Sequence, residues 1–313
     1  MQHYRYLLAR LYIGTMGLLL PLSVPHCLSV QRVPDAKSPQ LSSSDLERSK
    51  NLILGVLEHY DSGEKKGHSV RVVFYKENEQ WKAFPMSFNN EKELTQSVRY
   101  FPEAVTWTIC FDGRSLGSLS SKTPQSYDRY ADIGMQEITS KASVPTVGQP
   151  SESFSGWPGG RTYRPLILNS RPYCADNSKW RPEQPQQRQI SAIKDYLRKR
   201  FQVSVSKLSK ARIKVNKCYA SDLQQAKLIS VDITGIKVIP DDSEDDQNTA
   251  AWFYMKEGEI RYLGSNMLLV DIGDFDQNGA EEAIFKIQRY NNDGYTLYYD
   301  GFNKKVEFSW AYQ

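Results

Sequence analysis

Short runs in which apolar and polar residues alternate recur along most of the chain, separated by turn residues. This is the period-two pattern of half-buried strands. "SVRVVFYKE" (69–77) and "QWKAFPMSF" (80–88) flank a polar turn at Glu77–Glu79 and predict a hairpin. "AVTWTICFDGRSLGSLSS" (104–121) runs through Asp112-Gly113, a dipeptide that tolerates the positive φ of a tight hairpin turn. Ahead of both, "SDLERSKNLILGVLEHY" (44–60) predicts a helix. Ser44 and Glu47 have capping-box spacing, Leu46, Ile53, Val56, Leu57 and Tyr60 recur at helical intervals, and "GEKKG" ends the run. The expected first unit is an α+β domain over 44–147.

Residues 148–188 are rich in proline, glycine, serine and glutamine. They read as an ordered connector, interrupted by the short apolar strand "PLILNS". Its Trp157, Tyr173 and Trp180 are expected to pack loops onto their domain rather than to form a ligand surface. "QQRQISAIKDYLRKRFQVSV" then predicts a helix with Ile190, Ile193, Leu197 and Phe201 along one stripe. Its Arg198-Lys199-Arg200 cluster reads as a solvated face. From "RIKVNKCYA" to "KVEFSWAY" the pattern is one strand after another, so 189–313 is expected to be a helix plus a mainly antiparallel β domain. Between two of these strands "PDDSEDDQN" (240–248) holds five acids and reads as a solvated hairpin tip.

The first residues break the pattern. Arg5 and Arg10, with no acid, precede the apolar run Leu11–Leu22, and the small residue Ser29 follows a polar stretch. This predicts a cleaved signal peptide over 1–29, with an uncleaved anchor as the alternative. Pro21, Pro25 and His26 interrupt the run short of a membrane span. The expected location is periplasmic or extracellular, with no membrane span after signal removal. Loss of those two arginines takes the charge balance from 40 bases against 36 acids to near neutrality, so no general attraction to nucleic acid or to an anionic membrane is expected.

An exported chain meets an oxidising compartment. Cys110, Cys174 and Cys218 then predict one disulfide and one free thiol, with three pairings open, or three buried thiols. The two histidines past the signal, His59 and His68, are too few for a multi-histidine zinc site and read as surface residues.

One stretch carries recognisable chemistry. "DFDQNGAEE" (274–282) places Asp274, Asp276 and Asn278 at alternate positions, followed by Gly279. Calcium takes six to eight oxygens, and side chains at positions one, three and five converge when the backbone wraps tightly. Gly279 permits that turn by adopting positive φ. The Ala280 carbonyl adds a neutral oxygen, and Glu282 at position nine closes the set. A calcium hand needs an acid at position twelve, where this chain has Phe285, and the flanking segments read as strands.

The spacing Asp274-x-Asp276-x-Asn278-Gly279-x-x-Glu282, with Gly273 before it and "AIF" after it, resembles the calcium loop of FG-GAP/VCBS repeats. The resemblance covers roughly residues 250–313 and implies one structural Ca2+ with Asp274, Asp276, Asn278 and Glu282 as side-chain ligands and Ala280 through its carbonyl. A propeller is not implied, because one such loop and no fixed repeat are present. "VTWTICFDGRSLG", "YADIGMQEI" and "YRPLILNSRP" also resemble exported bacterial proteins of unassigned function.

The functional expectation is a non-enzymatic, calcium-stabilised β protein acting in binding or structure, with a surface glycan or a protein as partner and no nucleic acid. No catalytic residue is assigned. The competing expectation is a secreted hydrolase of cell-surface glycans, which needs two facing carboxylates. Asp112, Asp128 and Asp132 are its candidates.

Overall fold

A computed structural model describes residues 51–61, 66–140, 144–145, 164–176, 180–221, 225–235, 248–289 and 291–311. The expected signal peptide, Ser44, Leu46 and Glu47, Trp157 and most of the acidic tip at 240–248 lie outside these residues.

The first part is a closed antiparallel barrel. Strands β1 (Ile53–Asp61), β2 (Lys66–Glu77), β3 (Gln80–Ala83), β4 (Ala104–Phe111), β5 (Arg114–Lys122), β6 (Met135–Ile138) and β7 (Leu166–Asn169) run in the order β1-β7-β4-β5-β6-β2-β3. Pairing of β1 with β2 closes six of them into a ring and leaves β3 outside it. Both expected hairpins form. Asn78 and Glu79 take φ of 48° and 62°, and Asp112 and Gly113 take 47° and 73°, the left-handed backbone of two-residue hairpin turns. A six-residue helix, α1 (Glu91–Gln96), follows β3, with the Asn90 side chain accepting from the Glu93 N–H as its N-cap.

Residues 53–60, expected as helix, are strand. Leu52, Leu54 and Val56 are buried at every second position, and Leu57 is buried as well. A segment packed on both sides is apolar almost throughout, so helical and strand periods both fit it, and pairing with β2 and β7 decides for strand. The segment expected to connect domains also contributes more than a link. Its β7 is the barrel strand between β1 and β4, and Cys174 just beyond it forms a disulfide with Cys110 on β4. Among the described residues Cys218 is the free thiol, and it is buried.

The second part is layered. Strands β8 (Trp180–Pro182), β9 (Arg212–Ser221), β10 (Ala226–Thr234), β11 (Asn248–Lys256) and β12 (Glu259–Ser265) form a sheet in the order β12-β11-β10-β9-β8. Strands β13 (Met267–Gly273), β14 (Glu282–Arg289), β15 (Asn292–Tyr299) and β16 (Lys304–Ala311) form a four-stranded antiparallel meander. Alternation along β14–β16 divides its side chains between two cores. Ile284, Tyr295, Leu297, Phe308 and Trp310 share the barrel's core, whereas Ala283, Phe285 and Tyr298 pack with Leu228, Trp252 and Tyr254 of the five-stranded sheet. The opposite face of that sheet, with Ile229, Val231 and Phe253, is covered by Ile193 and Leu197 of the expected helix, α2 (Gln187–Arg200). A four-residue turn of helix, α3 (Val205–Leu208), follows it. The chain is thus mainly antiparallel β, as the alternation predicts.

Candidate functional site

The loop between β13 and β14 is anchored by its apolar member. Phe275 is 1% exposed in the barrel-side core, so the backbone around it is held while the acids on either side are directed back over the loop. Gly273 meets the barrel segment closely, for a Cβ there would lie 2.9 Å from Ala175 Cβ. Gly279 adopts a φ of +88° with open space around it, as the expected sharp turn requires.

One carboxylate oxygen each from Asp274, Asp276 and Glu282 lies within 4.8 Å of the others. Oxygens bound to one calcium sit about 2.3–2.6 Å from it, so two on opposite sides are separated by roughly 5 Å at most. The three carboxylates therefore fit a single ion of that size. Asn278 is adjacent: its Nδ2 donates to Asp276 Oδ2 at 3.2 Å, and its Oδ1 accepts from the Ala280 N–H at 2.6 Å. Ala280 thus meets the loop through its N–H.

The acids are organised by local donors. Asp274 accepts the N–H groups of Asn278 and Gly279 at 3.0 and 2.9 Å, Asp276 accepts the Asn278 N–H at 3.0 Å, and Glu282 accepts the Phe275 N–H at 2.8 Å. Glu282 is 1% exposed, and its carboxyl is pushed up to about 8 by burial and by the charges of Asp276 and Asp274, despite the Phe275 N–H. Three acids this close repel one another unless a cation stands among them. Lys76 on β2 supplies one, with Nζ 2.5 Å from Asp276 Oδ2 and 3.0 Å from Glu79. Burial alone would lower the Lys76 ammonium, but its bonds to Asp276 and Glu79 prevail and hold it above its ordinary range. Nothing in the local sequence marks Lys76, because it reaches the loop from 200 positions away.

A second polar cluster went unread in the sequence. Between the barrel and the four-stranded sheet lies a cavity of about 320 Å3 lined by Glu58, Arg71, Asp132, Lys286, Asp293 and Tyr295 among others. Arg71 is 4% exposed, pairs with Glu58 at 3.1 Å, donates to the carbonyls of Ala131 and Ile133, and stacks on Trp310 at 3.8 Å. Tyr295 donates to Glu58 Oε1 at 2.8 Å. Burial alone would raise the Glu58 carboxyl, but Arg71, with help from Lys286 and Tyr295, holds it below its ordinary range. The available signal was an arginine set between valines in "SVRVV", an inward position that needs a buried partner.

The three acids considered for hydrolysis do not gather there. Asp132 lines the cavity and pairs with Arg129, Asp112 pairs with Arg164 at 2.7 Å on the β4–β5 turn, and Asp128 accepts from Ser126. His59 and His68 are half-buried cross-strand partners with ring nitrogens 3.3 Å apart, a correction to their reading as surface residues. Trp180 is 8% exposed and its indole N–H donates to Glu281, so it packs as expected.

Comparison of the chain with protein-family models, with curated proteins and with solved structures gives no match.

Proposed function

We propose that the protein is exported and non-enzymatic, and that its C-terminal sheet is held by one calcium ion at an FG-GAP/VCBS-like loop. Asp274, Asp276 and Glu282 supply carboxylates, and Asn278 and Ala280 complete the oxygen set. The convergence of the three carboxylates within 4.8 Å carries this reading. Bound calcium supplies charge neutralisation to a loop whose third acid is buried in the core. The role of the site is structural: it joins β13 to β14 and thereby stabilises the layer shared by the barrel and the five-stranded sheet. The protein then acts in binding or structure, with a surface glycan or a protein as its partner, and works outside the cytoplasm.

Thermal unfolding with calcium and with chelator tests the metal reading. Calcium at about a hundred times its Kd raises wild-type stability by roughly 2.7 kcal/mol, and Asp276→Ala abolishes the gain. Identical melting of the wild type in the two conditions rejects it.

A further inference from the structure

The near-neutral chain hides a strongly basic face. Residues 187–210, which span α2 and α3, hold seven bases and one acid, a balance of +6 that exceeds the +4 of the whole chain. The rest of the protein is therefore net acidic, and positive charge is segregated to the outermost layer. Gln189, Ile193 and Leu197 turn one side of α2 to the sheet. At about 100° per residue, Arg188, Lys194, Arg198 and Lys199 then point away from it, and all four are exposed. Lys207 and Lys210 continue the exposed set through α3, which Leu208 anchors at 8% exposure. The one acid, Asp195, is paired with Arg198 at 3.3 Å.

A second feature falls in the same place. Val205, at the start of α3, is 66% exposed, the more exposed of the two large hydrophobic side chains that stand in solvent among the described residues. Clustered bases neutralise phosphate, and an apolar side chain projecting among them gains by leaving water for the acyl boundary. A nucleic-acid surface would instead offer aromatic faces for stacking. Here Tyr196 and Phe201 are packed edge-on against Phe253 and Tyr262.

We propose that the α2–α3 face docks peripherally on an anionic phospholipid surface, with Arg198, Lys199, Lys207 and their basic neighbours on headgroup phosphates and Val205 at the interface. This is independent of the calcium loop, which lies on a different sheet. It agrees with the lack, among the described residues, of any helix long and apolar enough to cross a membrane.

Co-sedimentation of the full chain with vesicles tests it, using phosphatidylcholine alone and phosphatidylcholine mixed with phosphatidylglycerol. The wild type is expected to bind the anionic vesicles preferentially and to dissociate in about 1 M salt, where the screening length falls to about 3 Å. The double variant Arg198→Glu/Lys199→Glu is expected to bind them at least about tenfold more weakly. Val205→Ser removes the apolar contact without adding charge, so it should weaken vesicle binding and leave retention on heparin unchanged. The apolar N-terminal run is common to all these chains, so their differences report the face alone, and unchanged melting temperatures show that the variants fold. Equal sedimentation of wild type and charge-reversed chain overturns the proposal. So does retention on heparin without vesicle binding, which assigns the face to a soluble polyanion, or vesicle binding indifferent to Val205→Ser.

Discussion

Nζ of Lys76 lies 2.5 Å from Oδ2 of Asp276, so a barrel strand donates an ammonium to the loop between β13 and β14. The Asp276 side chain is 2% exposed and the Lys76 side chain 12%, so the pair is largely withdrawn from water. A bound cation at the three carboxylates would share Asp276 with that ammonium.

Lys76→Met is therefore expected to act differently with and without calcium. In chelator it leaves Asp276 without its ion-pair partner and costs about 1–3 kcal/mol. In saturating calcium the deficit shrinks and calcium affinity rises, because no ammonium competes for the carboxylate. Calorimetric titration of wild type and variant measures both effects; a deficit of the same size in both conditions would show that Lys76 and the ion do not compete.

Acid should weaken the junction of barrel and sheet through Glu58. Its folded carboxyl is held below the ordinary value, so its contribution to stability is fully present above the ordinary carboxylate pKa and is lost as pH falls through the folded one. Glu58→Gln removes that dependence and leaves Arg71 buried without its counter-charge, at a cost of about 3 kcal/mol near neutral pH. Denaturant unfolding followed from neutral to acid pH compares the two slopes, and parallel curves would assign the acid sensitivity elsewhere.

The Cys110–Cys174 disulfide closes a separation of 64 residues. Restriction of the unfolded chain by a loop of that length corresponds to about 4 kcal/mol, so replacing both cysteines by alanine should lower the melting temperature markedly. Among the described residues Cys218 is the remaining thiol, buried on β9, and should react with a thiol reagent only after unfolding. Rapid labelling of Cys218 itself in the native protein would contradict that placement.

Gly273→Ala and Gly279→Ala separate two roles of glycine in the loop. At Gly279 the space is open and the cost is backbone strain of about 1 kcal/mol. At Gly273 the new methyl would lie 2.9 Å from Ala175 Cβ and 3.1 Å from the Asp176 carbonyl, so the loop must move away from the segment after β7. Melting in chelator should show Gly273→Ala as the more damaging change. The reverse order would mean that this segment yields easily.

The strands of the second part were legible from β-branched and aromatic residues set between turn signals, although both sheets bury side chains on two faces. β9, β10 and β13 to β16 fall on the expected run of strands, whereas "AAWFYMKEGEIRYLG", read as one segment, is divided into β11 and β12 by a tight turn at Glu257-Gly258. The residues of β1 were not legible, since Leu54, Val56 and Leu57 are all buried and a continuous apolar run has no single period. At the loop, the acids and Gly279 could be read from spacing alone. Lys76, Arg71, Glu58 and Tyr295 could not, because each is defined by a partner distant in the chain.

By itself, the sequence determined the local features: alternation along the strands, the tight turns at Asp112-Gly113 and at Gly279, and the grouping of acids in 274–282. These follow from φ/ψ sterics and from side-chain period, which near neighbours control. Tertiary structure alone decided the closure of β1 on β2, the insertion of β7 into the barrel, and the pairing of Cys110 with Cys174. Each of these selects one long-range partner among several that the local pattern permits. That selection is made by the burial of whole faces against one another, an energy no short segment carries.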